Sequence, residues 1–335
     1  MAGDKRGIII AGNLIVDQLK YVDVWPRQMG LVSITKQASA LGGLACNCSL
    51  DMAQLAPEVP IRVVGMVGDD ALGDNILEEL LKFPSIDTSM VMRTGETSFT
   101  DVITTPGGER TFFVFMGANV LLGPEHFDFT KIDAAIMHIG YILLLERLDG
   151  PDPDYPTAMC RVLDEAQKAG ILTSVDIVSE EGDRFKSIAA PALAYTDILS
   201  INDIEAEGVT GITLRDEGGE LNKGALEPCA RALAALGVGK WVCVHMPEIA
   251  VGIDIESGEY YEAGTLSLPE GFIKSTVGAG DAFTTSLLYA AYRGFGLAEA
   301  LREANAVAAY SLSCSSASGD LKPLDDIIKE MERYR

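Results

Sequence analysis

Short apolar runs alternate with longer amphipathic segments along most of the chain. The apolar runs are nearly continuous, which is typical of strands that are buried on both faces of a parallel sheet. Strands that alternate with amphipathic helices predict an α/β fold with helices on both faces of the sheet. The predicted strands are residues 7–12, 61–68, 134–140, 171–178, 196–202, 240–245 and 249–254, and the predicted helices are residues 43–56, 72–83, 157–170, 224–237, 283–296, 297–314 and 323–335.

Two stretches interrupt this alternation, residues 14–41 and residues 87–117. Both are rich in Ser, Thr and β-branched residues and lack a helical pattern, and the second contains glycine turns at residues 94–95 and 106–108. Because such pieces are too small to fold alone, we expect them to form a small β-lid over one edge of the sheet. Lids of this kind commonly exclude water from a reaction. The prediction is a single domain, residues 1–335, with a lid.

The chain is strongly acidic, with 26 Lys and Arg residues against 49 Asp and Glu residues and a formal net charge of −23 at pH 7. Such a surface repels nucleic-acid backbones and anionic membranes, so neither is an expected partner. It also repels ATP unless local cations, backbone dipoles or Mg²⁺ compensate. Hydrophobic residues make up 48% and charged residues 22%, which indicates a globular rather than a disordered chain.

The cysteines and histidines give no sign of a metal site. The 6 cysteines include no CxxC pair, and no Cys/His set has the spacing of a zinc site. We expect buried thiols in a reducing compartment. The N-terminal segment has no signal-peptide core, and no apolar run approaches the roughly 18 residues that span a bilayer. The expected location is the cytoplasm.

A glycine-rich turn, Gly278-Ala279-Gly280-Asp281, precedes an apolar helix near the end of the chain. It has two interpretations. An acidic residue in a first helical turn offsets the helix dipole. Alternatively, bare amides at a helix N-terminus bind a phosphate or a developing anion, and a neighbouring carboxylate acts as a base. The turn alone favours the first. The sequence contains no P-loop and no G-x-G-x-x-G motif after the first strand, so neither of these phosphate-binding motifs is an alternative to the glycine-rich turn.

Polar residues at the predicted strand ends change this balance. In open α/β sheets, ligands bind outside the carboxyl ends of the strands. Each of these residues alone is more often a turn or helix-cap residue than part of a site. Together with the glycine-rich turn they indicate a ligand site at one edge of the sheet. They are Asn13, Asp17, Gly42, Gly43, Asn47, Gly68, Asp69, Asn202 and Glu205.

On these motifs, and above all on Gly278-Ala279-Gly280-Asp281-Ala282-Phe283, the chain resembles the PfkB/ribokinase-like carbohydrate kinases over essentially its whole length. The resemblance implies a ribokinase-like three-layer α/β/α sandwich with a mainly parallel central sheet and a small β-sheet lid. It also implies transfer of the γ-phosphoryl of ATP to a hydroxyl of a sugar or sugar derivative.

The resemblance also assigns roles to residues. Asp281 becomes the base that accepts the proton of the attacking hydroxyl, and the amides of Gly278, Ala279 and Gly280 become the anion hole. The implied acceptor-binding residues are Asn13, Asp17, Gly42, Gly43, Asn47, Arg110 and Asn119. The implied nucleotide-binding residues are Asn202, Glu205, His245 and Asn305, with Glu205 also serving Mg²⁺ through water. Arg110 as a solvated edge-strand charge and Asn305 as a solvent-facing helix residue stay open as alternatives.

The chain departs from the family pattern at two places. Relatives usually carry Asp-Thr before the glycine-rich turn, whereas this chain has residues 275–277, Ser-Thr-Val. The missing carboxylate weakens the case for a monovalent-cation site, although the loop 313–320 could still supply backbone oxygens. After the strand at 240–245, the usual Thr-x-Gly-x-x-Gly loop is replaced by His245-Met246-Pro247-Glu248. Nucleotide affinity or choice is therefore expected to be unusual.

The resemblance further implies a homodimer formed through the β-lid. Two alternatives to a sugar kinase remain: a nucleoside kinase of the same fold, and a non-catalytic sugar- or nucleotide-binding protein. A nicotinamide oxidoreductase fits poorly because its fingerprint is absent. Asp17 and Asn47 offer the acceptor and donor groups that a polyhydroxylated ligand needs, but they do not name that ligand.

Overall fold

Two β-sheets and two helical layers make up the computed structural model, which describes residues 6–180, 182–314, 316, 318 and 320–334. The strands are β1 (Gly7–Gly12), β2 (Ile15–Val22), β3 (Ile34–Gly42), β4 (Ile61–Val67), β5 (Ile86–Arg93), β6 (Phe99–Thr104), β7 (Arg110–Phe115), β8 (Ala134–Ile142), β9 (Leu172–Ile177), β10 (Ile198–Asn202), β11 (Trp241–His245), β12 (Ile249–Asp254) and β13 (Tyr260–Gly264). The helices are α1 (Leu44–Leu55), α2 (Ala71–Leu80), α3 (Glu146–Asp149), α4 (Ala158–Lys168), α5 (Ala190–Ala192), α6 (Asp203–Thr210), α7 (Lys223–Ala234), α8 (Ala279–Arg293), α9 (Leu297–Ser311) and α10 (Leu324–Met331).

The larger sheet has nine strands in the order β13-β12-β11-β10-β9-β8-β1-β4-β5. The pairs from β11 to β5 are parallel, and β12 runs antiparallel to both of its neighbours. The predicted fold class is therefore confirmed. Because parallel strands end at the same edge, the carboxyl ends of β1, β8, β9, β10 and β11 lie together.

Successive residues of the central strands pack into opposite layers. In β1, Ile9 belongs to the core on one face, while Ile8 and Ile10 belong to the core on the other. The first core is closed by α4, α6 and α7, and Val162 is a typical contribution. The second is closed by α1, α2, α8 and α9, where Phe283 is fully buried. This period of two explains why the apolar runs of the sequence are nearly continuous.

The smaller sheet has the order β3-β2-β6-β7 and forms the predicted lid. The parallel pairing of β2 with β6 joins the two sequence segments, and β3 and β7 add to them antiparallel. One boundary differs from the prediction. Residues 86–93 are not lid but the edge strand β5 of the central sheet, where they pair parallel with β4. An edge strand exposes one face, so its mixed polarity resembles that of a lid strand.

The described residues show no metal cluster and no membrane span. Five of the cysteines are buried and free, and Cys314 is free and partly exposed. Among the described residues, no group of three or more His, Cys, Asp or Glu side chains could hold a metal ion. No helix in the same part of the chain is both long and apolar enough to cross a bilayer.

Candidate active site

The ends of β1 and β8 meet at a pair of glycines that admits no side chain. A Cβ atom at Gly12, where φ is 129°, would lie 1.7 Å from the carbonyl oxygen of Gly140. Asn13 follows and is fully buried. Its Oδ1 accepts a hydrogen bond from the Tyr141 amide at 2.8 Å, and its Nδ2 donates to the Leu144 carbonyl at 3.3 Å. The Asn13 side chain therefore holds the chain that leaves β8.

Asp281 lies in the first turn of α8, and side chains from two other elements, β8 and α1, enclose its carboxylate. The Tyr141 hydroxyl donates to Oδ1 at 2.8 Å and to Oδ2 at 2.9 Å, and Asn47 Nδ2 donates to Oδ2 at 2.8 Å. The Cys48 thiol lies 3.8 Å from Oδ1. Burial raises the pKa of Asp281 above its usual range, and the hydrogen bonds from Asn47, Tyr141 and Cys48 oppose that rise. The result is a buried carboxylate whose charge depends on its donors.

The residues of the glycine-rich turn, Gly278 to Gly280, are partly exposed at the start of the helix that carries Asp281. Gly278, in the left-handed conformation with φ 84°, is the N-cap of α8 and has no side chain to cap it. The first amides of a helix have no intrahelical partner, so they point outward with the positive end of the dipole. The His245 ring covers one side: a Cβ at Gly280 would lie 3.2 Å from its Cε1, and the ring centroid is 4.9 Å from that of Phe283. Burial lowers the pKa of His245 to about 4, so this imidazole is neutral at pH 7.

Asp17 faces the start of α1 from the lid. In β2 it pairs with Ala40 on one side and Thr100 on the other. A Cβ at Gly42 would lie 2.5 Å from Asp17 Oδ2, so only glycine leaves room for the carboxylate. Burial raises the pKa of Asp17 to about 6, and a hydrogen bond from Thr100 opposes this. Gly43, with φ 81°, begins the helix that carries Asn47.

Asn202 and Glu205 form a helix cap at the end of β10. Asn202 Oδ1 accepts from the Glu205 amide at 3.0 Å, and Glu205 Oε2 accepts from the Asn202 amide at 2.8 Å. Glu205 Oε1 also accepts from Asn202 Nδ2 and from Ser179 Oγ, both at 2.7 Å. Burial raises the pKa of Glu205 to about 7, against the effect of these donors. The motif thus caps α6 and at the same time holds a carboxylate at the carboxyl edge of the sheet.

Three other predicted site residues have different surroundings. Asn119 is buried, and its amide bonds both backbone groups of Leu14, accepting from the nitrogen at 3.2 Å and donating to the oxygen at 3.1 Å. Asn305 is buried and donates to the carbonyls of Ala263 and Gly264 at 2.8 and 3.1 Å, so the solvent-facing alternative is wrong. Arg110 is exposed at the start of β7. Direct contact of Asn119 or Asn305 with a ligand stays a prediction.

The loop after β11 is fixed by ion pairs instead of glycines. Arg215 donates from both terminal nitrogens to the Glu248 carboxylate at 2.9 and 2.8 Å. Its Nε donates to Asp203 Oδ2 at 2.5 Å. Asp203 opens α6 directly after Asn202, so Arg215 joins the β11–β12 turn to the capped start of that helix.

The proposed monovalent-cation region is only partly described. Within residues 275–277, the Val277 amide donates to Ser275 Oγ at 3.2 Å, which closes a local turn. In the loop 313–320, residues 315, 317 and 319 lie outside the described residues. The prediction that this loop could hold a cation therefore stays a prediction.

Two residues of the site were missed by sequence reasoning, Tyr141 and Asp176. Tyr141 is the next-to-last residue of β8, and its hydroxyl donates to Asp281. Asp176 lies near the end of β9 and is buried, and burial together with the nearby Glu205 and Asp281 carboxylates raises its pKa well above the usual range. Both residues stand at the carboxyl ends of predicted strands, so the strand-end rule would have found them had it been applied to those strands.

Comparison with known proteins identifies the family. The family model of the pfkB family carbohydrate kinases matches residues 11–323. A ribokinase from Arabidopsis thaliana is 25% identical over 325 residues, which cover 96% of this chain and 80% of that protein. A 5-dehydro-2-deoxygluconokinase from Shouchella clausii is 24% identical over 303 residues, which cover 86% of this chain and 85% of that protein.

The same fold is found among solved structures. The structure of Arabidopsis thaliana ribokinase complexed with ribose and ATP has a TM-score of 0.77 at 20% identity, covering 98% of this chain and 99% of that one. At this identity the likeness shows the fold alone, whereas the family match spans nearly all of the chain. With that match and the site geometry together, the chain belongs to the pfkB family of carbohydrate kinases and is a sugar-phosphorylating phosphotransferase that uses ATP.

Proposed function

We propose that Asp281 is the base that accepts the proton from a sugar hydroxyl as this hydroxyl attacks the γ-phosphoryl of ATP. The observation that carries the proposal is the position of its carboxylate, buried in the first turn of α8 beside partly exposed helix amides. In that position the Asp281 carboxylate can reach the attacking hydroxyl while the helix amides face the phosphoryl group that it attacks. A carboxylate needs no pKa near 7 here, because it can take the proton late in the transfer.

The amides of Gly278, Ala279 and Gly280 stabilise the charge on the transferring phosphoryl. Phosphoryl transfer depends on alignment and charge stabilisation more than on covalent chemistry by the protein. Fixed amides at a helix N-terminus supply positive dipoles without reorganising during the reaction. Their partial exposure and the glycine N-cap support this role.

Asp17 holds the acceptor from the lid, beside the start of α1. Its carboxylate offers lone pairs to sugar hydroxyls, and Gly42 leaves the space that the carboxylate needs. Asn47, which the sequence also assigned to the acceptor, contributes here through the base, since its amide donates to Asp281. The acceptor is a polyhydroxylated small molecule within the sugar class that the family phosphorylates.

Asn202 and Glu205 serve the phosphates and the water shell of Mg²⁺. The donor chemistry fits this ion, which prefers few carboxylates and several waters. Asp176 and Glu205 are buried near one another, and each carboxylate is harder to ionise because of its surroundings. Bound Mg²⁺ would supply positive charge to the ATP phosphates and relieve this repulsion.

A homodimer formed through the lid completes the proposal. Large apolar side chains are exposed on the lid and on the turn between β2 and β3: Val24, Trp25, Met29, Leu31, Ile34, Phe112, Phe113, Val114 and Phe115. Trp25 and Phe113 stack with centroids 6.3 Å apart. An apolar surface of this extent is typical of an interaction site. Sedimentation velocity should show a dimer that Phe113→Asp converts to monomer, and a wild-type monomer would contradict it.

The decisive experiment measures ADP release with Mg-ATP across sugars, sugar acids, cyclitols and nucleosides. We expect release that depends on one acceptor class and that falls about 1,000-fold in Asp281→Asn, because a positioned general base contributes on that order. ATP binding should change little. Asp74→Asn is the matched control, since Asp74 also lies in a first helical turn but is exposed and paired with Arg93.

Each other outcome points elsewhere. Near-normal turnover by Asp281→Asn would contradict the base assignment. Release only with nucleosides would make this chain a nucleoside kinase. No release with any acceptor, together with detectable ligand binding, would support a non-catalytic binding protein and direct attention to the altered loop after His245.

A further inference from the structure

We propose that Tyr141 is the positioning residue of the base, and that it leaves Oδ1 of Asp281 as the atom that receives the acceptor's proton. The inference rests on the proposed function of Asp281 and adds a residue that neither the sequence motifs nor the family match assigns. It starts from the Tyr141 hydroxyl, whose single proton is shared between the two carboxylate oxygens at O···O distances of 2.8 and 2.9 Å.

The two oxygens of Asp281 are not equivalent. Both oxygens share the Tyr141 proton. Oδ2 also accepts a strong hydrogen bond from Asn47 Nδ2 at 2.8 Å, whereas the second donor to Oδ1 is the weak Cys48 thiol at 3.8 Å. A carboxylate oxygen has two lone-pair directions. Oδ2 is therefore the better satisfied oxygen, and Oδ1, whose second donor is only a weak thiol, is the one left to accept from a strong donor such as a sugar hydroxyl.

Tyr141 is itself held in place. Its amide donates to the buried Oδ1 of Asn13 at 2.8 Å, and its ring packs against the second core. The carboxylate is thus gripped from β8 and α1 while its backbone belongs to α8. The carboxylate is therefore fixed by three elements that meet only in the folded chain. Such support positions a catalytic group to within a fraction of an ångström, as catalysis requires.

Around Asp281, the titratable groups that can donate a hydrogen bond stay protonated, and Tyr141 is the strongest of these donors. Cys48 on α1 and Tyr141 on β8 both have pKa values well above their usual ranges because of burial and the Asp281 charge, so both stay protonated. On β9, burial also raises the pKa of Asp176. On β11, His245 is neutral at pH 7, since burial lowers its pKa to about 4. Removing the Tyr141 hydroxyl therefore removes a donor to the charged form and raises the pKa of Asp281.

The test is Tyr141→Phe, assayed as kcat and KM against pH with the acceptor that the panel identifies. A hydrogen bond to a charged group is worth enough to move the acid limb of kcat upward by about one pH unit and to lower kcat about tenfold. The KM values for ATP and acceptor should change less than about twofold. Tyr289→Phe is the matched control, because Tyr289 lies on α8 and its hydroxyl donates to Glu58 at 2.6 Å, outside the site.

A second variant keeps the test valid if the phenylalanine disturbs packing. Site-specific 3-fluorotyrosine at position 141 keeps the shape and makes the hydroxyl a stronger donor, so the acid limb should move to lower pH. Opposite changes in the two variants would support the proposal. Unchanged pH profiles, or a faster Tyr141→Phe enzyme in which the tyrosine merely occupied the acceptor's place, would overturn it. Failure of the base assignment itself is separate, because it would appear as activity in Asp281→Asn.

Discussion

At the scale of single residues, Asp17, which we propose binds the acceptor, lowers the stability of the fold at neutral pH. Its carboxylate is held between β3 and β6, and burial raises its pKa to about 6 from a usual value of 3.8. The folded state therefore binds a proton more tightly than the unfolded chain. Because the carboxylate ionises at lower pH in the unfolded chain, the free energy of unfolding falls as the pH rises from about 4 to about 6. The full loss of stability is present above that window.

Asp17→Asn should therefore stabilise the protein at neutral pH while it weakens acceptor binding. Because a tenfold difference in proton affinity between the folded and unfolded states corresponds to about 1.4 kcal/mol, the gain has an upper bound of about 3 kcal/mol above pH 6 and vanishes below pH 4. The measurement is the difference in Tm between variant and wild type at several pH values, beside the acceptor KM. In wild type, that KM should rise as the pH falls through about 6.

Asp23→Asn supplies the comparison, since Asp23 is exposed just beyond the same strand. It should alter neither the pH dependence of Tm nor the acceptor KM. A loss of Tm in Asp17→Asn that is the same at every pH would mean that the carboxylate does not carry this cost.

At the scale of elements, the ion pairs of Arg215 stiffen the turn that replaces the family's glycine loop. The guanidinium bridges Glu248 in that turn and Asp203 at the start of α6. His245 begins the turn and packs against Gly280, so the turn forms one wall beside the helix amides. Because ion pairs rather than backbone geometry fix this turn, we expect its position to depend on the single side chain of Arg215.

Arg215→Met should loosen that wall and leave the Asp203 and Glu248 carboxylates without their cation, beside the proposed nucleotide site. We expect the KM for ATP to rise about tenfold, because losing the partner of a charged group costs on the order of 1–3 kcal/mol. The acceptor KM should stay unchanged. Arg231→Met is the control, since Arg231 pairs with Glu227 on the surface of α7. Equal effects of the two variants would contradict a role for the turn in nucleotide binding.

The sequence predicted elements better than it predicted contacts. The helix and strand order of the central sheet follows from period and polarity, and the glycine-rich turn at 278–281 follows from local chemistry. Two contacts had no such signal. Asn119 bonds the backbone of Leu14 across 105 positions of the chain, and Tyr141 reaches Asp281 across 140. Such pairs depend on how strands are ordered in the sheet, which local patterns do not encode. The prediction that places β5 in the lid is wrong for a different reason, since the mixed polarity of an edge strand resembles that of a lid strand.

For the whole molecule, the net charge of −23 opposes the approach of an anionic nucleotide. The Debye length is about 30 Å at 0.01 M salt and about 8 Å at 0.15 M, so added salt screens the distant surface charge but not the helix amides that we propose contact the phosphates. A neutral sugar experiences neither effect. The two substrates should therefore respond differently to ionic strength.

We expect kcat/KM for Mg-ATP to rise severalfold as tetramethylammonium chloride increases from about 0.01 to about 0.15 M, while kcat/KM for a neutral acceptor stays constant. Tetramethylammonium is too large for a small-cation site, so it separates screening from ion binding. Repeating the series with potassium chloride tests for a monovalent-cation site. A further rise in kcat/KM with potassium alone would support such a site despite the missing carboxylate before the glycine-rich turn. A fall in kcat/KM for Mg-ATP with either salt would show instead that local positive charge, and not the acidic surface, governs nucleotide capture.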